Sequence, residues 1–154
     1  MINYTQFIIT KDTMKLTLFT DIALKSFLVL QSNPNKLFRI DDIAEAIAAP
    51  RNHLVKVLNF MVRKEWIRSI RGCNGGIIYN DQSDNLKLGE LIRILEKDDQ
   101  EELLNCAECK MNTNCRLRGL LGNATNAFYA YLNQYTLNDL STVGITTSMI
   151  KNKS

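Results

Sequence analysis

The sequence predicts a mainly α-helical fold in which three helices, a two-stranded hairpin and a fourth helix precede a long C-terminal helix. Two observations predict it. Apolar residues recur at helical spacing through most of the chain, and they alternate only around a glycine-rich turn near residue 74. This order is typical of a winged helix-turn-helix domain with a two-stranded wing. At 154 residues and 45% hydrophobic content, the chain can bury one such core and carry an appendage.

These patterns divide the chain into five parts. Residues 1–13 lack a helical period and form an N-terminal extension, and residues 14–96 form the winged helix-turn-helix domain. A cysteine-containing loop follows over residues 97–116, and a long helix with a short cap occupies residues 117–140. Residues 141–154 have little apolar content and are predicted to be a mobile tail.

The first helix is predicted to begin near Thr17 and to end before the turn residues Asn33-Pro34-Asn35. Its apolar residues are spaced so that they share one face, which should lie against the core. The members of this stripe are Phe19, Ile22, Ala23, Phe27 and Leu30.

The second and third helices have the spacing of a helix-turn-helix. The second is predicted from about Asp41 to Ala48 and the third from near Pro50 to about Lys64, with Pro50 at the first helical position, where its missing N–H costs nothing. The turn falls at Ala48-Ala49, where glycine is more usual, and alanine can be tolerated there if the turn opens slightly. The packing positions are Ile43, Ile47, Leu54 and Val57, and Ala44 is the small residue where the helices cross. The predicted buried face of the third helix is Leu54, Val57, Leu58 and Met61.

A hairpin and two more helices complete the chain. Residues Trp66–Ile70 and Ile77–Tyr79 alternate as strands on either side of a glycine-rich turn, and a short helix is predicted over Leu88–Glu96. The long helix is predicted over Cys115–Tyr135, and Thr136 with an acid three residues later forms a cap.

The apolar residues of the long helix form a heptad-like stripe, which favours a homodimer in which a second copy covers it. The alternative is that the stripe packs against the chain's own first helix. The members are Leu117, Leu120, Leu121, Ala124, Phe128, Tyr131, Leu132 and Tyr135.

Charge is unevenly distributed and points to a polyanionic partner. Residues 49–79 hold six basic residues and one acidic residue, whereas residues 80–102 hold three basic and eight acidic residues. The third helix has no acid between positions 51 and 64, which argues against an ordinary solvated face. Its polar stripe, which carries the amide and cationic groups used in major-groove recognition, is Asn52, Lys56, Asn59 and Arg63.

The start of the third helix and the hairpin tip are the predicted contacts with double-stranded DNA. Arg51, Asn52 and His53 are best placed to touch bases, and the helix N-terminus offers N–H groups to a phosphate. In the hairpin, Arg68 and Arg71 flank the tip, which is suited to close approach to the minor-groove backbone. The predicted wing contacts are Arg71, Asn74, Gly75 and Gly76.

Three of the four cysteines, Cys106, Cys109 and Cys115, follow a C-x2-C-x5-C spacing. Thiolates gathered this closely favour an iron-sulfur cluster or zinc, and both usually need a fourth ligand, which is missing locally. A chance group of buried thiols is the alternative. Cys73 lies in the hairpin and the only histidine, His53, lies on the third helix.

An enzyme is a rival interpretation of the same segment. A thiol oxidoreductase could use Cys106 and Cys109, but the motif lacks a strand-to-helix setting, and its acidic neighbours would raise the thiol pKa. We therefore expect no enzymatic activity. The sequence has neither the ~18-residue apolar run of a membrane helix nor a signal-peptide pattern, so we expect a cytoplasmic protein.

Four segments of the chain carry a resemblance to a known family. They begin at Met14, Pro50, Lys87 and Asn105, and their sequences are MKLTLFTDIALKSF, PRNHLVKVLNFMVRKEWIRSIRGCNGGI, KLGELIRILE and NCAECKMNTNCRLRGLLGNATNAFYAYLNQYTLNDL. Together they resemble the NsrR-type nitric-oxide-sensing repressors, within the family of iron-sulfur winged-helix regulators that includes IscR. The resemblance covers about residues 14–140.

The resemblance implies a homodimeric repressor that holds a [2Fe-2S] or [4Fe-4S] cluster through Cys106, Cys109 and Cys115. In NsrR-type proteins the fourth ligand can be an aspartate near the start of the first helix of the other subunit, and Asp21 occupies that position. The alternative role for Asp21 is a first-turn acid that stabilises the helix N-terminus. IscR-type members carry a histidine three residues after the last cysteine, where this chain has Arg118.

The implied function is the release of an operator in response to nitric oxide, with control of nitrosative-stress genes. Two alternatives remain open: an iron-sulfur or iron-status regulator of the same family, and a zinc-binding or metal-free regulator that senses thiol oxidation. The chain differs from the family pattern in the short Cys106-to-Cys109 spacing and in carrying Cys73 where lysine is common.

Overall fold

The computed structural model describes residues 15–97 and 115–142. The helices in this part of the chain are α1 Leu18–Gln31, α2 Ile40–Ala46, α3 Arg51–Arg63, α4 Leu88–Glu96 and α5 Arg116–Leu132. The other regular elements are the strands β1 Ile67–Ile70 and β2 Gly76–Tyr79 and the 3-10 helices Asp81–Asn85 and Asn138–Thr142. The predicted winged helix-turn-helix order, followed by a long helix, is confirmed.

Two contacts fix the start of α1. Thr17 caps the helix, because its Oγ1 accepts a hydrogen bond from the Thr20 N–H at 3.3 Å. The Thr17 N–H and hydroxyl both donate to Oε1 of Glu96, the last residue of α4, at 2.9 Å. The predicted apolar stripe of α1 faces the core, with Phe19 partly buried and the following residues fully buried: Ile22, Ala23, Phe27 and Leu30.

The turn between α2 and α3 is tight. α2 ends at Ala46, before the predicted Ala48, and Ala48 has a left-handed backbone with φ 51°. The Ala49 N–H donates to the Ala44 carbonyl at 3.0 Å and closes the helix end. Ala48 thus adopts the conformation that glycine favours, at a cost of roughly 1–2 kcal/mol, and this is how the chain accommodates alanine at the turn. Pro50 precedes α3 and is not its first residue.

The hairpin carries a third paired segment. β1 and β2 are antiparallel, with Ile67 opposite Tyr79, and β2 begins at Gly76, one residue before the predicted start. Phe38 and Ile77 exchange two backbone hydrogen bonds of 2.8 Å, so the segment that precedes α2 pairs with the other side of β2. This pairing ties the wing to the helix-turn-helix.

The end of α5 packs on α4. α4 has the predicted bounds, whereas α5 ends at Leu132 and not at Tyr135. The Glu90 N–H donates to Oδ1 of Asn133 at 2.9 Å, so a side chain just after α5 caps the start of α4. The predicted cap after α5 is present, since the Thr136 N–H and hydroxyl donate to Asp139 Oδ2 at 2.7 and 2.9 Å.

One core joins the helices and the hairpin. Leu137, which follows α5, is fully buried in it, so the chain returns to the domain after the long helix. No helix within residues 15–97 and 115–142 has the length and apolarity to cross a bilayer. The predicted extension over residues 1–13 lies outside the described residues. Of the predicted tail over residues 141–154, the first two residues belong to the 3-10 helix Asn138–Thr142, and the rest lies outside the described residues.

A group of hydrogen bonds joins β2 to the segment after α5. The Tyr79 hydroxyl donates to Asp84 Oδ1 at 2.6 Å and accepts from Gln31 Nε2 at 3.0 Å. The same Nε2 donates to the Leu137 carbonyl at 3.0 Å. Burial of the phenol, together with the hydrogen bond to Asp84, raises the pKa of Tyr79 above its usual value of about 10.

Replacing Tyr79 with phenylalanine is expected to lower the free energy of unfolding at neutral pH by about 1–3 kcal/mol, because Asp84 loses the hydroxyl donor and Gln31 loses one of its two acceptors. In the wild type, the folded state keeps the Tyr79 proton after the unfolded chain has lost it. The stability from Tyr79 is therefore present below about pH 10 and is lost as the pH rises above it. Urea denaturation should show a smaller alkaline decline in Y79F, and equal declines in the two proteins would contradict this account.

Candidate nucleic-acid interface

α3 has one buried face and one exposed face, as predicted. The buried side chains lock it against the rest of the domain, and they are Leu54, Val57, Leu58 and Met61. The four residues of the predicted polar stripe are exposed, and they are Asn52, Lys56, Asn59 and Arg63. An amide and cationic surface on the second helix of a helix-turn-helix is suited to the DNA major groove.

The first turn of α3 combines exposed side chains with available backbone donors. Arg51, Asn52 and His53 are all exposed. No side chain caps this end of the helix, and the Pro50 carbonyl accepts the His53 N–H at 3.0 Å. The backbone N–H groups of Arg51 and Asn52 can therefore meet a phosphate, which the helix dipole also favours.

Arg51 is held by an acid on the neighbouring helix. Its Nε donates to Oδ1 of Asp41, in the first turn of α2, at 2.7 Å. The sequence alone does not reveal this role of Asp41, because the pairing depends on how α2 and α3 pack, and an acid at the start of a helix is ordinarily explained by the helix dipole. The ion pair spans the two helices of the helix-turn-helix.

Arg63 lies at the other end of α3. Its guanidinium is 6.0 Å from the centre of the Phe60 ring, and that ring packs edge-on against Phe19 and Trp66. Because the N-terminal part of a recognition helix usually contacts the bases, this position is better suited to the phosphate backbone than to bases. Arg63 remains a predicted DNA contact.

The wing tip exposes its predicted polar residues, Arg71 and Asn74. At the two neighbouring positions, the packing of the protein itself requires glycine. A Cβ at Gly75 would clash with the Ile70 carbonyl oxygen, and a Cβ at Gly76 would clash with the Phe38 carbonyl oxygen. Close packing of the hairpin therefore accounts for both glycines, whether or not the DNA backbone also approaches them.

Of the four predicted cluster ligands, Asp21 and Cys115 lie in the described residues, while Cys106 and Cys109 lie outside them. Asp21 is partly exposed and forms an ion pair with Lys25 at 2.7 Å. Cys115 is a free, half-buried thiol at the N-cap position of α5, where its side chain makes no capping bond. Within residues 15–97 and 115–142, no three His, Cys, Asp or Glu side chains form a metal-binding group.

Glu96 is a residue that the sequence analysis missed. Its hydrogen bonds to Thr17 hold the end of α4 against the start of α1. Glu96 lies near the end of the described segment that precedes Cys106 and Cys109 in the sequence, and its partner Thr17 caps the turn of α1 that contains Asp21. The contact joins residues 79 positions apart, and no local pattern signals it.

The stripe on α5 is largely exposed within one chain. The relative exposure is 55% for Leu117, 57% for Leu120 and 59% for Tyr131. The contacts of α5 with the domain lie near its C-terminal end, where the Arg93 guanidinium stands 4.5 Å from the centre of the Tyr129 ring. Packing against the chain's own first helix, the alternative to dimerisation, therefore does not cover the N-terminal half of the stripe.

Comparison with family models identifies one match. A model described as Rrf2, iron-dependent transcriptional regulator, matches residues 16–142. The match includes the helix-turn-helix, the wing, the cysteine segment and α5.

Solved structures show the same fold. CymR of B. subtilis, described as the global cysteine regulator of that organism, is 20% identical with a TM-score of 0.65, over 86% of this chain and 99% of its own. The oxidised form of Staphylococcus aureus CymR is 21% identical with a TM-score of 0.66, over 86% and 100%. IscR of T. potens is 16% identical with a TM-score of 0.64, over 82% and 85%. At these identities the likeness establishes the fold alone.

Proposed function

The chain belongs to the Rrf2 family of transcriptional regulators, and from this premise we propose that it is a homodimeric repressor that senses nitric oxide. It binds an operator in double-stranded DNA through α3 and the wing, and it controls nitrosative-stress genes. An iron-sulfur cluster held by Cys106, Cys109 and Cys115, with Asp21 as fourth ligand, carries the signal. The observation that carries the DNA-binding part is the exposed amide and cationic face of α3.

Dimerisation is supported by the exposed stripe of α5. A row of large apolar side chains along a helix is stabilised when a second copy covers it. Two copies also present two α3 helices, and a palindromic operator fixes their separation at about 34 Å, one turn of DNA. A small displacement between the subunits is enough to disrupt this match.

The ligand set suits an iron-sulfur cluster. Thiolates are the usual ligands of such clusters. The Cys115 thiol is half-buried and the Asp21 carboxylate is partly exposed, so an external group can reach either side chain. When bound, the cluster supplies iron that nitric oxide can attack. In the described residues Asp21 is paired with Lys25, so Lys25 offers the carboxylate a partner whenever it is not a ligand.

The nitric-oxide branch is favoured over the alternatives by the residues at two positions. Asp21 stands where NsrR-type proteins have an aspartate ligand, and Arg118 stands where IscR-type proteins have a histidine. An iron-status regulator would use cluster occupancy itself as the signal. A zinc-binding or metal-free thiol regulator would use the three cysteines without Asp21, so the effect of removing the Asp21 carboxylate distinguishes it.

Two substitutions on α3 test the DNA interface, with a duplex selected from a random pool by the wild-type protein as the probe. Lys56→Ala should weaken binding to selected and scrambled duplexes alike and reduce the slope of log affinity against log salt by about 1. Asn52→Ala should cost about 1–3 kcal/mol on the selected duplex and much less on the scrambled one. Unchanged binding by both variants would contradict the assignment of α3 as the recognition helix.

A further inference from the structure

Two adjacent acids stand at the start of α2, and they differ in one respect. Asp41 and Asp42 are both exposed and both lie in the first turn of the helix. Asp41 forms the 2.7 Å ion pair with Arg51, the first residue of α3. Asp42 has no ion pair within the described residues. The helix dipole accounts for both acids equally, so it does not explain the pairing of Asp41.

The ion pair with Asp41 restrains the Arg51 guanidinium but leaves most of its N–H donors available. The contact is made through Nε of Arg51, which leaves the four N–H groups on the two terminal nitrogens for DNA. A bidentate contact with the O6 and N7 atoms of guanine needs only two such groups. The Arg51 side chain is 59% exposed and the Asp41 side chain 73%. DNA can therefore reach the pair, and a phosphate can compete with Asp41 for Arg51.

We propose that Asp41 is a positioning residue that sets the DNA specificity of Arg51, an inference that rests on the proposed DNA-binding function. On the operator, Asp41 holds Arg51 in the orientation that presents its terminal N–H groups to the bases. On other sequences, a phosphate contact by Arg51 either breaks the pair or brings the Asp41 carboxylate close to the negative DNA backbone, and both cost free energy. The pair therefore weakens non-specific binding more than operator binding.

The test compares Asp41→Asn with the matched control Asp42→Asn, in the full-length protein. Both variants remove one exposed negative charge from the same helix turn. The probes are the duplex selected by the wild type and a scrambled duplex of the same length and composition. Affinities are measured over a range of salt concentrations in the wild-type and Arg51→Ala backgrounds.

D41N is expected to raise affinity for the scrambled duplex by up to about fivefold relative to D42N, the range of an exposed ion pair. Its salt slope on that duplex should steepen by about 0.9, because Arg51 then neutralises one more phosphate. The ratio of selected to scrambled affinity should fall in D41N but not in D42N. In the Arg51→Ala background, the two variants should behave alike.

Equal behaviour of D41N and D42N in the wild-type background would overturn the inference, since it would show only the loss of a charge. A difference that persists in the Arg51→Ala background would also overturn it, because Asp41 would then act without Arg51. These outcomes leave the DNA-binding function standing. Failure of the wild type to enrich any duplex from the random pool would instead overturn the proposed function, and the inference with it.

Discussion

Leu120→Asp is expected to convert the protein from a dimer to a monomer. Leu120 is exposed in the N-terminal half of the α5 stripe, and a carboxylate there would face the apolar surface of the second copy. A monomer contacts only one half-site, so operator affinity should fall by about 100-fold or more, the usual gain from linking two binding modules. Sedimentation equilibrium and operator titration measure the two effects.

Asn123→Asp is the matched control for this substitution. Asn123 is exposed on the same helix but lies off the apolar stripe, and the variant adds the same charge. We expect it to remain a dimer and to bind the operator with little change. If L120D also stays dimeric and binds as the wild type does, α5 is not the dimer interface.

Cys115→Ser is expected to abolish iron binding and, with it, the response of DNA binding to nitric oxide. The variant should still fold, because position 115 is the N-cap of α5 and serine is a favourable N-cap residue. Loss of a thiolate ligand removes one of the few strong bonds that hold a cluster. Iron and sulfide analysis of anaerobically purified protein gives the first result, and operator titration with and without nitric oxide gives the second.

Cys73→Ser is the control, because Cys73 is an exposed free thiol at the wing and belongs to no proposed ligand set. It should retain iron and the nitric oxide response. A response that survives in C115S but is lost in C73S would show that the wing thiol, and not a cluster, carries the signal.

Local patterns predicted the elements well. The bounds of α4 were predicted correctly because its apolar residues follow the helical period and a polar loop precedes it. The buried face of α3 was also predicted, since four apolar residues at helical spacing leave little choice of orientation. The C-terminal end of α5 was predicted three residues too late, because the apolar stripe continues through Tyr135 although the helix ends at Leu132.

Contacts between distant residues were not predictable from the sequence. Glu96 binds Thr17 across 79 residues, and Gln31 binds the Leu137 carbonyl across 106. Both depend on how the helices pack, which local spacing does not specify. The pairing of Asp41 with Arg51 was missed for the same reason. The glycine-rich tip was identified, but the chemistry of the turn did not show that the Phe38 backbone approaches Gly76.

The central claim is that a cluster-bound dimer binds DNA and that nitric oxide ends this binding. The most direct test measures iron, acid-labile sulfide and operator affinity together in anaerobically purified protein, before and after stoichiometric nitric oxide. The account predicts that iron and sulfide are present, and that nitric oxide removes the iron-sulfur absorption and operator affinity in parallel. Protein that contains only zinc or no metal, and whose DNA binding is unchanged by nitric oxide, would contradict it.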